Sequence, residues 1–100
     1  GAEYAAVLKK VLIATDYFYK ERHMMKRLIE ILEEIQPEVD YATCTDLIDG
    51  RHLDSLSVLA LVAELEEKFD ITIPAVEIVP DNFNSAESLW AMIVRLQEEA

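Results

Sequence analysis

The feature that most constrains the fold is a helix start signal at Asp54-Ser55, directly in front of an apolar-rich run that reaches Phe69. Asp or Ser ahead of an apolar run is a typical helix N-cap. Ser55 is therefore predicted in the first turn of a helix, where backbone N–H groups lack partners within the helix. Such a helix end carries a partial positive charge and favours a phosphate ester. Because many helices begin with Asp-Ser, this signal alone does not identify a function.

Apolar residues of helical period predict a helix on each side of this one. From Met25 to Ile35 they recur at i, i+3, i+4 and i+7, and Gln36-Pro37 ends the helix. A last helix is predicted after Asn84 as N-cap, with Glu87 three residues on as in a capping box. The residues of its predicted buried face are Ala86, Leu89, Trp90, Ile93 and Leu96.

Two connections complete the predicted order of elements. Residues 38–53 form a long segment, and the apolar Tyr41, Leu47 and Ile48 are expected to pack beneath it. After Pro74 a short helix is predicted from Ala75 to about Val79. Residues 80–83 are predicted to form a turn.

The composition excludes several classes of protein. The chain has 100 residues, is 52% hydrophobic and contains only two Gly and three Pro, so one ordered domain is expected. Its net charge of −11 repels nucleic acid and anionic membranes and attracts basic protein surfaces. The single cysteine, Cys44, fits a reducing compartment, and no apolar run is long enough to span a membrane. A cytoplasmic domain is therefore expected.

Residues 1–24 differ from the rest and are predicted to be an N-terminal extension of a domain at residues 25–100. They carry four basic and three acidic residues, whereas residues 25–100 carry five and 17. Three interpretations remain open: a helix that packs on the domain or on a neighbouring chain, an upstream stretch of reading frame, or sequence left by cloning. Met24-Met25 would make a natural start after an upstream stretch, whereas Gly1 and His23-Met24 resemble a cleavage remnant and a cloning-site scar.

The helix after Asp54 has more apolar surface than one core-facing stripe requires. The residues predicted to face the core are Val58, Leu61, Val62, Leu65 and Phe69. Leu56, Leu59 and Ala63 form a second stripe on the side from which Ser55 emerges. This second stripe is either further core or a partner-docking surface rimmed by Glu66 and Glu67.

Other chemistry fits the residues poorly. His52, Asp54 and Ser55 contain the residue types of a nucleophilic triad, but they are near neighbours in one turn rather than converging from separate elements. A calcium loop aligned on Gly50 would place Leu56 where a bidentate Glu is required. Cys44 has no second thiol for zinc and is expected to be inert. His52 is expected to be exposed or to pair with Asp49. No metal site is predicted.

From Met25 to about Gln97 the chain resembles the acyl carrier protein superfamily. The resemblance rests on Leu53-Asp54-Ser55-Leu56 together with the order of helix, long loop, acidic second helix, short third helix and final helix. It implies an all-α, four-helix bundle with three main helices and a short third one, here with an extra N-terminal helical segment. It implies no catalysis by the chain itself.

The resemblance also implies the site and its partners. Ser55 would carry 4'-phosphopantetheine, attached from coenzyme A by a phosphopantetheinyl transferase, with Asp54 as the family's preceding Asp. The arm's thiol would hold an acyl or aminoacyl group as a thioester. Leu56, Leu59, Glu66 and Glu67 match partner-facing positions, and Ala63 lies on the same stripe. The partners would be an activating ligase and acyl transfer or synthase enzymes, in a fatty acid, polyketide or D-alanyl transfer pathway.

The cargo is the open part of this interpretation. Gly50-Arg51-His52-Leu53-Asp54-Ser55 is closer to D-alanyl carrier proteins and peptidyl carrier domains than to fatty-acid carriers. Fatty-acid carriers have acidic residues soon after Asp-Ser-Leu, where this chain has Ser57 and Ala60. The bulky Leu61, Leu65, Phe69, Trp90 and Ile93 predict a filled interior. These residues favour a small aminoacyl or short acyl cargo. The alternative is a helical protein-interaction module with the same fold that is never modified.

Overall fold

The chain folds into α-helices joined by loops. A computed structural model describes residues 1–99, and Ala100 of the predicted domain lies outside the described residues. Helix α1 spans Ala2–Ile35, α2 Ser55–Phe69, α3 Pro80–Phe83 and α4 Ala86–Glu99. A 3₁₀ turn at Ala75–Glu77 precedes α3. Residues 1–99 contain no strand. The predicted all-α architecture, with three main helices and a short third one, is confirmed.

Helix α1 is much longer than the amphipathic segment that begins at Met25. It continues without a break through residues 24 and 25, and every residue up to Lys20 is exposed. Only Leu28, Ile31 and Leu32 are buried. The domain boundary after residue 24 therefore stays a prediction, since the backbone does not mark it.

The core lies where α1, α2 and α4 meet. Leu32, Leu61 and Ile93 are each fully buried there, one from each helix. The predicted inward face of α2 holds for Leu61, Leu65 and Phe69, whereas Val58 and Val62 are only half-buried. On α4, Met92 is buried and Trp90 is half-buried. The core seam of α4 thus differs from the predicted one in that Met92, rather than Trp90, is buried.

The long connection from α1 to α2 packs on the core as predicted. Tyr41 and Leu47 are buried and Ile48 is half-buried. The Tyr41 hydroxyl is 2.6 Å from the carbonyl oxygen of Gln36 and 3.2 Å from that of Leu32, so it can donate to either. The Leu32 carbonyl also accepts the backbone N–H of Gln36 at 2.8 Å, so the Tyr41 hydroxyl adds to the hydrogen bonds that close the end of α1. Burial raises the pKa of Tyr41, which keeps this donor protonated.

The region between α2 and α4 corrects two predictions. The short helix after Pro74 is a 3₁₀ turn that ends at Glu77, before Val79. Residues 80–83 form α3 rather than a turn, with Pro80 in its first turn. Proline suits that position, because its fixed φ is helical and its missing N–H would have no helical acceptor there.

The N-cap of α4 is a third correction. Asn84 was predicted as the cap and Glu87 as its capping-box partner. Instead, the backbone N–H of Ser88 donates to the Ser85 hydroxyl at 3.0 Å, and the N–H of Ser85 donates to the Ser88 hydroxyl at 3.2 Å. The reciprocal pair of a capping box is therefore present one residue later. Asn84 is left free for the loop that precedes α2.

Candidate functional site

The loop in front of Ser55 is organised around the backbone of Leu47. Its N–H donates to the carbonyl of Asn84 at 2.9 Å, and its own carbonyl accepts the N–H groups of His52 and Leu53, both at 3.0 Å. The side chains of Leu47 and Leu53 are buried. This closed loop fixes the residue directly before Asp54, and so it sets where α2 begins.

The side chain of Asn84 completes that loop. Its Oδ1 accepts the backbone N–H of Ile48 at 3.0 Å and of Asp49 at 3.1 Å. Its amide nitrogen donates to the Asp49 carboxylate at 3.1 Å. Asparagine is a common N-cap residue, and Asn84 stands just before the last helix. The sequence therefore predicted a cap there and gave no sign of this role in the loop.

Gly50 and Arg51 make the tight turn of the loop. A Cβ on Gly50 would lie 2.5 Å from the Asp46 carboxylate and 2.7 Å from its backbone oxygen, so any side chain would force the loop to move. The residue with left-handed backbone is the next one, Arg51, with φ of 60°. Non-glycine residues adopt this conformation rarely. The surrounding hydrogen bonds therefore hold the turn in a conformation that Arg51 alone would not favour.

Asp54 is the N-cap of α2, and Ser55 is the first residue of that helix. The Asp54 carboxylate accepts the backbone N–H of Ser57 at 2.8 Å. This hydrogen bond is the main reason that the pKa of Asp54 is lowered from its ordinary value. Ser55 is exposed and begins the helix. The predicted arrangement of cap and helix start is present, and the serine hydroxyl lies at the end that favours a phosphate ester.

The second apolar stripe of α2 lies on the surface. Leu56 is 76% exposed and Leu59 64% exposed, and Ala63 is exposed as well. The interpretation of this stripe as further core is therefore wrong. Glu67 is exposed, but the carboxylate of the half-buried Glu66 accepts the backbone N–H of Ile73 at 2.8 Å. One of the two acidic residues of the rim is thus also a structural contact.

A cleft of about 360 Å³ adjoins the serine. Ser55 and Asp54 stand beside it, and its apolar walls come from α2 and from the connections on either side of that helix. Its apolar lining residues are Ile48, Leu53, Val58, Leu59 and Ile78. Ile78 had no signal in the sequence, since it follows a short turn and belongs to no periodic stripe. An exposed hydroxyl beside such a cleft fits a covalently attached flexible group.

Three side chains of the loop cluster at the outer edge of the site. The Cys44 thiol donates to the Asp46 carboxylate at 3.2 Å, and the His52 Nε2 lies 3.5 Å from the same oxygen. Asp46, rather than the expected Asp49, is therefore the partner of His52. The potential ligand atoms of the three residues lie within 4.8 Å of one another, a grouping that the sequence spacing did not reveal. His52 thus contacts Asp46, and Asp54 contacts the backbone of Ser57. A triad would need the histidine to contact both Ser55 and Asp54, so these contacts do not form one.

Comparison with known families identifies the family to which this chain belongs. Residues 26–93 match the family described as the phosphopantetheine attachment site. The chain belongs to this family. It is a carrier protein that holds an acyl or aminoacyl group as a thioester on a covalent 4'-phosphopantetheine arm and presents that group to partner enzymes. The arm, when attached, supplies the thiol that forms the thioester.

Three curated relatives agree with the family match. The D-alanyl carrier protein of Streptococcus sanguinis is 35% identical over 71 residues, which are 70% of this chain and 90% of that protein. The D-alanyl carrier protein of Streptococcus suis is 33% identical over 70 residues, 69% of this chain and 89% of the relative. That of Streptococcus gordonii is 34% identical over 71 residues, again 70% and 90%.

Among residues 1–99, no helix is both long enough and apolar enough to cross a bilayer.

Proposed function

We propose that Ser55 is the residue that carries 4'-phosphopantetheine. The observation that supports this most is the combination of an exposed hydroxyl at the start of α2 with the capping Asp54 and the adjoining cleft. The N–H groups at this helix end favour the negative charge of a phosphodiester. On attachment the Ser55 oxygen loses its proton and bonds to the pantetheine-side phosphorus of coenzyme A, while the pyrophosphate P–O bond breaks and adenosine 3',5'-bisphosphate leaves. Asp54 positions the serine through its cap and takes no part in the bond.

The partner surface of the carrier is proposed to be the exposed stripe Leu56, Leu59 and Ala63, with Glu67 and Glu66 at its rim. Two large apolar side chains exposed next to the modified serine suit burial by a docking enzyme, which gains about 25 cal/mol per Å² of apolar surface removed from water. The acidic rim and the net charge of −11 favour partners with basic surfaces. A phosphopantetheinyl transferase, an activating ligase and acyl-transferring enzymes are the proposed partners, and the carrier itself has no catalytic role.

The proposed cargo is a small aminoacyl group, with D-alanine as the first candidate. The three relatives are D-alanyl carrier proteins. Ser57 and Ala60 stand where fatty-acid carriers have acidic residues. Leu61, Leu65 and Ile93 are fully buried and Phe69 nearly so, which leaves a tightly filled interior. A long acyl chain needs shelter worth about 0.8 kcal/mol per buried methylene, whereas an alanyl group needs none. The proposed setting is the cytoplasm, where a free Cys44 stays reduced.

The attachment site is tested by intact mass after incubation with coenzyme A and a broad-specificity phosphopantetheinyl transferase. We expect one added arm on the wild-type chain, none on Ser55→Ala and one on the matched control Ser57→Ala. Ser57 lies two residues along and points about 200° away on a helix of 3.6 residues per turn. Modification that persists in Ser55→Ala would overturn the assignment. A wild-type chain that stays unmodified would favour the interaction module instead.

The cargo is tested by the melting temperature of the modified carrier loaded with an alanyl or an octanoyl group. We expect the two forms to melt together, because neither group displaces core side chains. Stabilisation by octanoyl alone would contradict the small cargo and indicate a chain held between the helices. In a parallel assay, a D-alanine-activating ligase should charge the modified wild-type carrier and fail to charge Ser55→Ala.

A further inference from the structure

The first part of α1 carries an apolar surface that the carrier domain does not cover. Nine large apolar side chains between residues 4 and 19 are exposed, among them Tyr4 at 73% and Tyr19 at 67%. Single exposed apolar residues are ordinary, but a contiguous apolar surface of this kind marks an interaction site. The family match begins at residue 26, so this arm, residues 1–23, lies outside the part that makes the chain a carrier.

The apolar surface follows a coiled-coil repeat. Residues spaced alternately by four and three form one seam along the arm: Tyr4, Leu8, Val11, Thr15, Phe18 and Arg22. This is the spacing of heptad d and a positions, with Tyr4, Val11 and Phe18 at d. Val7 and Ala14 flank the seam on one side and Leu12 and Tyr19 on the other, which widens it. The charged Lys9, Asp16 and Lys20 lie outside the seam.

We propose that the arm pairs with the arm of a second copy of this chain in an antiparallel, two-helix dimer. In antiparallel pairing each a residue faces a d residue of the other helix. A two-fold axis perpendicular to the helices, at the level of residue 13, places Leu8 opposite Phe18 and Val11 opposite Thr15. The same register places Arg22 opposite Tyr4, where a guanidinium over an aromatic ring is favourable. Every seam residue thus has a complementary one in an identical helix.

Charge decides between antiparallel and parallel pairing. Parallel pairing would set Arg22 against Arg22 and bring two domains together, each with five basic and 17 acidic residues between positions 25 and 100. Like charges that face each other in an interface are unfavourable. Antiparallel pairing separates both the arginines and the acidic domains. It places the domains at opposite ends of the shared helix pair.

The area of the arm also fits this occupant. Burial of α1 by its own domain begins at Glu21, Met24 and Met25, which are half-buried, and becomes complete at Leu28. Residues 4–20 are therefore exposed to a partner. Three exposed aromatic and four aliphatic side chains per arm would bury roughly 1,200 Å² in total, at the lower end of the range for stable interfaces.

The oligomeric state of the full chain tests the proposal. Light scattering after gel filtration, across a wide range of concentrations, should give twice the 11.4 kDa mass of the chain. Val11→Glu should shift the chain to monomer, because it places a charge in the seam. Ile13→Glu is the matched control: Ile13 is 62% exposed and lies on the opposite side of the helix, so this variant should stay dimeric. Circular dichroism should show the same helix content in both.

Orientation is tested by disulfide formation in a Cys44→Ser background. Leu8→Cys protein mixed with Phe18→Cys protein should give a disulfide-linked pair, whereas neither variant alone should. A disulfide dimer of Leu8→Cys alone would indicate parallel helices and overturn the proposal. So would a wild-type chain that is monomeric at every concentration, or dimers that Val11→Glu and Ile13→Glu leave equally intact. A monomer that binds phosphatidylcholine vesicles would assign the surface to lipid instead.

Discussion

Asn84 holds Asp49 from both sides across 35 positions of sequence. Its Oδ1 accepts the Asp49 backbone N–H at 3.1 Å, and its amide nitrogen donates to the Asp49 carboxylate at 3.1 Å. The loop that presents Ser55 is therefore tied to the junction between α3 and α4. Presentation of the serine depends on a residue that sequence reasoning had placed in an unrelated helix cap.

Asn84→Ala should destabilise the domain and slow the modification of Ser55. The change leaves the N–H groups of Ile48 and Asp49 without their acceptor, and Ile48 is half-buried. An unsatisfied buried polar group costs about 1–3 kcal/mol. The measurements are the free energy of unfolding in urea and the rate of arm attachment. Asn84→Asp keeps the acceptor for both N–H groups but sets a second carboxylate against that of Asp49, so it should also lose stability. Wild-type stability and rate in Asn84→Ala would show that the tie is dispensable.

The cap of α4 gives a prediction with its own control. Ser85→Ala should cost about 1 kcal/mol of stability, because the hydroxyl accepts the N–H of Ser88 at the first turn. Glu87→Ala should change stability by less than about 0.5 kcal/mol, as expected for an exposed position without a cap role. Urea unfolding of both variants measures the difference. The reverse order of effects would restore Glu87 as the capping partner.

Two leucines of α2 should respond in opposite ways. Leu61→Ala should cost about 2–5 kcal/mol of unfolding free energy, because Leu61 is fully buried. Leu59→Ala should cost less than about 0.5 kcal/mol, since its side chain is mostly exposed. The exposed variant should instead raise the KM of the transferase for the carrier. If Leu59→Ala is modified with unchanged KM, the proposed partner surface does not include Leu59.

Stability should also depend on the ionisation of Glu77. The two nitrogens of the Arg95 guanidinium donate to its carboxylate at 2.7 and 2.8 Å, and this bonding lowers the pKa of Glu77. A lowered pKa in the folded state means that the contribution is present above the ordinary glutamate value of about 4.3. It is lost as the pH falls through the lower folded value.

The measurement for Glu77 is the stability of wild type and Glu77→Gln across this pH range. The wild type should be the more stable of the two at neutral pH, and the gap should close on acidification. Glutamine keeps the shape of the side chain, removes the charge and turns one of the two accepting oxygens into a donor. A gap that is constant with pH would mean that the ion pair contributes nothing through charge.

The fold was largely predictable because periodic signals act locally. The apolar period placed α2 at residues 55–69, and the cap at Asp54 lies where the sequence put it. The errors fall where tertiary contacts choose between similar local options. Asn84 and Ser85 are both good caps, and the loop claims the first. Met92 and Trp90 are both apolar, and tertiary packing decides which of them is buried.

The site was predictable in its centre and less so at its edge. Asp54 and Ser55 are adjacent in sequence, so one motif places both. The meeting of Cys44, Asp46 and His52 depends on the turn at Gly50 and Arg51, and no residue preference indicated the left-handed backbone of Arg51. Likewise Ile78 reaches the cleft only through the path of the chain after α2. Long-range arrangement of this kind has no signature in a single sequence.

The contact between Cys44 and Asp46 has a consequence for the safety of the cargo. A carrier keeps a reactive thioester tethered to itself, and a thiolate on its own surface could take the acyl group by exchange. Thiolates, not thiols, are the nucleophiles in such exchange. Burial raises the pKa of Cys44, the backbone of Asp46 partly opposes this, and the Asp46 carboxylate that faces the thiol raises the pKa further. A raised pKa lowers the fraction of thiolate, and with it the rate at which the loop's own thiol could take the acyl group.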